Sequence, residues 1–216
     1  MPAKRTASVT DRLRDDILSG LFPPGDRLVE TQLGARYGVG RAAVRSALLE
    51  LDREGLVDRR AHRGAAVRRI SIEEAIEIAE ARSVLEGLVA RRAADVANSE
   101  ERTELESIVA EMTAAVTSGE RRRYSELNRR LHRRLREMSR HSVAQDLVAN
   151  LEDRGAHHQF HLALMPGRST DSLREHAAIV SAVVAGDAAG AERAMHRHLA
   201  SVAAVLKEWS EVGFTA

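Results

Sequence analysis

The chain has 216 residues, of which 44% are hydrophobic and only 3% aromatic, a composition that suits one large or two small domains of helices packed through small and aliphatic side chains. It contains no cysteine, which excludes disulfides and thiolate metal ligands, and no apolar run near the roughly 20 residues that span a bilayer. The net charge of +1 conceals an asymmetry: residues 1–70 hold 14 Lys and Arg against 9 Asp and Glu, while residues 71–216 hold 19 against 23, so the basic end is the candidate for contact with a polyanion.

The first residues, MPAKRTASVTDRLRDD, lack the apolar core of a secretion signal, and the expected location is the cytoplasm. Val9, Leu13 and Ile17 recur at helical spacing within residues 8–19, and Gly20 supplies a stop. Pro23-Pro24-Gly25 then forces a turn before a short helix expected over 30–37. Gly38 ends it, and a third helix over about 40–54 turns Val44, Leu48 and Leu51 inward before Gly55. Two helices joined by a tight glycine turn make a helix-turn-helix. Beyond it, LVDRRAHRGAAVRRI reads as two short extended runs around a turn at 61–64, a hairpin wing with Arg59, Arg60, Arg63, Arg68 and Arg69 about its tip. Arg41 and Arg45 lie four apart at the start of the third helix; alone they would be a solvated face, but beside a wing they suit a DNA groove.

These residues resemble the GntR family of bacterial transcription regulators, through ILSGLFPPGDRL, GVGRAAVRSALLELDREGLV and HRGAAV in that order. The resemblance implies DNA contacts at Thr31, Gly40, Arg41 and Arg45, with Arg63 and Gly64 at the wing tip. Gly40 stands where the family usually has Ser or Thr, so a capping hydroxyl is replaced by a bare backbone N–H that can still meet phosphate.

From Ser71 onward the periodicity predicts six helices, at roughly 72–97, 100–118, 120–139, 143–164, 170–185 and 188–210. Ser71 with Glu74 and Asn98 with Glu101 read as capping boxes, Gly119 and Gly186 as stops, and Asp187 as the last cap. The fold class expected is therefore mainly α: an N-terminal winged helix-turn-helix over 1–70 and a six-helix antiparallel bundle over 71–216 that binds effector and dimerises.

Several polar residues fall on apolar stripes. His198 sits within Ala191, Ala194, Met195, Val202, Val205 and Trp209, with His196 nearly opposite; His176 lies among Leu173, Ile179, Val180 and Val183. Arg82 falls inside the Ala75, Ile78, Leu85, Val89, Ala93 and Val96 stripe with Glu86 one turn on, and a buried arginine is costly without an anionic partner. Asn128 and His132 are four apart at the margin of the Tyr124, Leu131, Leu135 and Met138 stripe, a spacing that suits two ligands on one metal. His158 is placed inward on the Leu147, Leu151 and Leu162 stripe, and His141 and His157 at the surface. One inward histidine is usually a hydrogen-bonded core residue, but three from separate helices point to a metal.

This half is similar to the FCD effector domain, through RSVLE at 82–86, NRRLH at 128–132, EH at 175–176 and MHRHL at 195–199, and its six helices resemble the smaller, vanillate-regulator-type branch of the FadR subfamily. The resemblance implies one divalent ion, zinc, nickel or manganese, on Asn128, His132, His176 and His198, with Arg82 meeting a small carboxylate effector; Glu86, one turn from Arg82, and the inward His158 are placed with it at the effector site by their helix faces. The function expected is a ligand-responsive regulator, a repressor acting as a homodimer on a double-stranded operator, with no membrane partner. Two other readings stand beside it: a metal-dependent hydrolase or lyase with a DNA module, against which no inward carboxylate besides Glu86 was apparent as a base, and a pure metal sensor, for which Arg82 would be superfluous.

Overall fold

The computed structural model describes residues 8–60, 64–164 and 167–211, with the side chains of 60, 156–164 and 209–211 outside that description. The wing-tip residue Arg63 and the side chains of His157, His158, Leu162 and Trp209 therefore lie outside the described part of the molecule. The chain divides into two compact units, residues 1–70 and 71–216. No described helix is long and apolar enough to cross a membrane.

The first unit runs α1 (Val9–Leu18), β1 (Arg27–Leu28), α2 (Glu30–Tyr37), α3 (Arg41–Arg53), β2 (Val57–Arg60) and β3 (Gly64–Val67). Ser8 and Asp11 close a reciprocal capping box on α1, which buries Leu13 and Ile17. Gly38, at φ +68°, takes the left-handed turn that separates α2 from α3. From α3, Val44, Ala47, Leu48 and Leu51 enter a core shared with Leu28, Leu33, Leu56, Val57 and Val67.

The wing carries one strand more than the sequence suggested. The sheet order is β1-β3-β2, both pairs antiparallel, with Arg27 opposite Ala66 and Val57 opposite Val67. The third strand comes from the segment after the Pro-Pro-Gly turn: Gly25, at φ +90°, donates its N–H to the Val67 carbonyl at 2.8 Å, and Val67 N–H returns to Asp26 at 2.9 Å. The Arg69 guanidinium lies where a side chain at Gly25 would go, with Nε 2.3 Å from an ideal Cβ.

The second unit comprises α4 (Ile72–Val96), α5 (Ser99–Thr117), α6 (Arg121–Met138), α7 (Ser142–Leu164), α8 (Arg168–Val184) and α9 (Ala188–Glu211). α4 packs along α9, α9 against α8, and α5 against both α6 and α8, around Val89, Leu105, Ile108, Met112, Leu131, Leu135, Ile179 and Met195. Asn98 and Glu101 form the expected capping box, and Asp187 accepts from Gly190 N–H at 2.8 Å. Ser71 caps α4 through Glu74 N–H, whereas the Glu74 carboxylate takes Arg154 at 2.8 Å. Two apolar assignments fail: Val96 is 37% exposed and Leu147 49%. Ala93, Ala94 and Ala97 take the inner positions at the end of α4, and the inner line of α7 runs through Ala144, Val148 and Gly155.

Candidate functional site

Four helices of the second unit deliver polar groups to one place. Helical spacing aligns Tyr124, Asn128 and His132 along α6 and Arg168, Ser172 and His176 along α8, while α9 contributes His198 and α4 contributes Arg82 and Glu86. The three histidines are buried, and each offers a ring nitrogen within 4.8 Å of the others. His132 Nε2 and His176 Nε2 stand 3.1 Å apart.

Outside the histidine cluster itself, each ring is held through Nδ1. His132 Nδ1 is 2.6 Å from Glu86 Oε2, and His198 Nδ1 is 2.7 Å from Glu175 Oε2. His176 Nδ1 is 3.3 Å from both the Tyr124 and the Ser172 hydroxyl. A carboxylate on Nδ1 fixes the N–H there and leaves the Nε2 lone pair for an electrophile. A metal about 2.1 Å from two imidazole nitrogens sets them roughly 3.0–3.4 Å apart, in agreement with the observed spacing. Asn128, one turn before His132, keeps a buried Oδ1 without a hydrogen-bond partner among the described residues, an acceptor suited to the same ion. Asn128, His132, His176 and His198 therefore fit a divalent ion.

The electrostatics favour neutral, ligand-ready rings. Burial lowers His198 to about 4 despite Glu175 beside it, and burial with the neighbouring histidines takes His176 well below its ordinary value. Burial would raise the Glu86 carboxyl, but the Arg82 guanidinium and His132 hold it well below the usual carboxylate range. Burial likewise opposes ionisation of Glu175, yet hydrogen bonds from His198, Arg168 and Ser201 bring it to about 2. Burial pushes Tyr124 up to about 12.

Arg82 lies inside, as its stripe predicts, but it is already partnered. Its Nε donates to Glu86 Oε1 at 2.7 Å, and Nη2 lies 3.6 Å from Glu152, which is also held by Arg136. Glu86 thus bridges Arg82 and His132 and lies behind the imidazole rather than on the wall of the adjoining pocket, where the effector was expected to meet it. Replacing Arg82 would strand a buried carboxylate, which removes its use as a clean discriminator of a metal sensor. The sequence reading also missed Glu152, Glu175 and Arg168. Arg168, 8% exposed, holds Glu175 through contacts of 3.2–3.3 Å, and both Glu152 and Glu175 are occupied by guanidinium groups. His141, placed at the surface, is half-buried and accepts from Ala144 N–H at 3.2 Å at the start of α7. An open pocket adjoins the histidines, walled by Arg82, Asn128, Arg129, Glu152, Arg168 and Ser169 among others.

In the first unit, Thr31, Gly40, Arg41, Arg45 and Gly64 are all exposed. Gly40 is the extended N-cap of α3 (φ −70°, ψ 157°) without a side-chain cap. Arg41 opens the helix, and Arg45 one turn later reaches Glu30 at 3.2 Å, the residue before Thr31. This exposed ion pair, which spacing alone did not reveal, ties α3 to the first turn of α2 and is weak enough to exchange for a nucleic-acid partner.

Comparison with known proteins agrees with both halves. Residues 5–67 match the family described as "Bacterial regulatory proteins, gntR family", and residues 77–201 match the FCD domain. The chain belongs to the GntR family of transcription regulators, with an FCD domain following the helix-turn-helix. Among its GntR relatives, the "HTH-type transcriptional repressor RspR" of Escherichia coli K12 is 30% identical over 199 residues, covering 91% of this chain and 86% of that one. E. coli McbR/YncC shares the fold at a TM-score of 0.81 and 19% identity, over 95% of this chain and 100% of that chain. A putative GntR regulator from Rhodococcus sp. RHA1 follows at 0.75 and 22%, over 93% and 96%. Membership makes this GntR protein a DNA-binding transcription regulator rather than an enzyme.

Proposed function

We propose that this GntR regulator is a repressor whose FCD domain holds a divalent metal on Asn128, His132, His176 and His198 and releases DNA when a small organic acid binds beside that metal. The observation that carries the reading is the convergence of three buried imidazoles whose Nδ1 atoms are all engaged, leaving Nε2 to a cation. Zinc, nickel and manganese all accept imidazole and amide oxygen donors. The ion supplies Lewis acidity to bind a carboxylate oxygen, and the Nη edge of Arg82 on the pocket wall can receive the acid's other oxygen. His158, whose side chain is outside the described residues, belongs to the same assignment.

On the DNA side, Arg41 and Arg45 would read base edges, with Thr31 and the Gly40 backbone on phosphate and Arg63 and Gly64 on the wing. A homodimer would present two recognition helices to two half-sites of an operator in the cytoplasm. Support comes from the exposed N-terminus of α3, from the basic charge of residues 1–70 and from a relative named as a repressor.

The test begins with protein stripped by chelator and reloaded with zinc, nickel or manganese, then titrated with duplexes selected from a random pool. A small carboxylate should bind only the loaded protein and weaken DNA binding by about 5–150-fold, the usual size of a coupling between sites. Failure to take up one metal per chain removes the metal assignment. A carboxylate that binds tightly and leaves DNA affinity unchanged removes the switch.

A further inference from the structure

We infer that the effector is a dicarboxylate rather than a monocarboxylate, its second carboxylate received by Arg129 and Arg168 where α8 begins. This rests on the metal-and-acid reading above and narrows it.

Charge is the first argument. Among the charged residues that line the pocket and their ion-pair partners, Arg82, Arg129, Arg136 and Arg168 stand against Glu86, Glu152 and Glu175, one guanidinium more than carboxylates. The surplus is traceable to Arg129: Glu86 and Glu152 serve Arg82, Glu152 also serves Arg136, and Glu175 serves Arg168, whereas Arg129 has no ion-pair partner among the described residues. The metal donors add nothing negative, because an asparagine amide and three imidazoles bind a cation as neutral ligands. A divalent ion there keeps both its charges, and a single carboxylate would leave most of the positive charge gathered at the pocket uncompensated. Two carboxylates come close to balancing it.

Placement is the second argument. Arg168 opens α8 two turns before His176 and lies with Ser169 on the pocket wall. The N-cap of α8 is Gly167, which offers no side-chain cap, and the first two turns of the helix bring the buried Arg168 guanidinium, Ser169 and Ser172 to the pocket wall. Arg129 follows Asn128 on α6, about 100° around the helix from that metal donor, and reaches the same pocket from its exposed rim. One carboxylate at the ion and Arg82, and another at Arg129 and Arg168, use every cationic element of the wall.

The experiment uses the full-length, nickel-loaded protein and calorimetric titration with matched pairs: malate against 2-hydroxybutyrate and succinate against butyrate. The diacid of each pair should bind at least about tenfold tighter, the usual reach of one charge-assisted contact. In R129Q that ratio should fall to about threefold or less, while R122Q, a control on the same helix whose side chain is 94% exposed, should keep it. Equal affinities within each pair, or a ratio that survives in R129Q, overturn the inference while leaving the metal-and-acid reading standing. If neither member of any pair binds in a nickel-dependent way, the underlying reading fails and this one with it.

Discussion

Glu86 is the residue on which the site turns, because its two oxygens serve two different buried partners: Oε1 takes Arg82 at 2.7 Å and Oε2 takes His132 at 2.6 Å. Replacing it with glutamine keeps the shape and removes the charge. Glu86→Gln should cost about 3 kcal/mol of unfolding free energy, because a buried guanidinium loses its nearest counter-ion. It should also weaken metal binding by roughly 10–100-fold, as losses of an outer-shell carboxylate do. A competitive chelator titration and urea unfolding check the two effects, and unaltered metal affinity would reduce Glu86 to a structural ion pair. The identities of the inward histidines could be read from the sequence, since a 3.6-residue period assigns His132, His176 and His198 to buried faces. Their partners could not. Glu175 meets His198 from another helix, and Glu152 reaches Arg82 across 70 residues of chain, so pairings of this kind appear only once the helices are assembled.

Helices were legible at the level of whole elements because caps and glycine stops punctuate them: α9, expected over 188–210, runs Ala188–Glu211, and α6, expected over 120–139, runs Arg121–Met138. The two-residue strand β1 was not, since its only reason to be extended is the free edge of β3. The same limit applies to His196. A single amphipathic stripe puts it opposite His198 on α9, yet α9 is flanked by both α4 and α8, and His196 packs half-buried on α4 with Nδ1 3.3 Å from Ser83 Oγ. Its ring fills the space that a side chain at Gly87 would need, with Nε2 2.4 Å from an ideal Cβ. Glycine inside a helix ordinarily costs about 0.5–1 kcal/mol relative to alanine, so Gly87→Ala would stabilise α4 if space allowed. Here overpacking wins, and Gly87→Ala should destabilise by about 1–2 kcal/mol. In a His196→Ala background the same change should become neutral or stabilising by up to about 1 kcal/mol. Additive effects in that double-mutant cycle, read by urea unfolding, would show that the α4–α9 approach does not depend on this glycine.

For the molecule as a whole, the buried histidines predict how acid acts on the metal-free protein. The folded chain holds His198 near 4 and His176 well below its ordinary value, whereas an exposed histidine takes its proton near 6.5. Between those values the unfolded chain binds protons that the folded chain refuses, so stability rises with pH and is lost as pH falls through the window. At about 1.4 kcal/mol per pH unit for each ring, His198 alone accounts for roughly 3 kcal/mol between pH 6.5 and 4. Glu175 acts in the same direction over a lower window: its carboxyl, at about 2 in the folded chain, contributes stability that is complete above the ordinary 4.5 and fades as pH drops from there toward 2. Urea unfolding followed by the helical circular-dichroism signal in chelator, at half-unit steps from pH 7.5 to 4.5, should therefore show a steady fall that begins near pH 6.5. His198→Gln should remove about one proton's worth of that slope, since its amide has nothing to titrate. A profile flat from pH 7 to 5 in the unsubstituted protein would mean that the imidazoles are already charged or exposed when folded, and the neutral donor set on which metal binding depends would not exist.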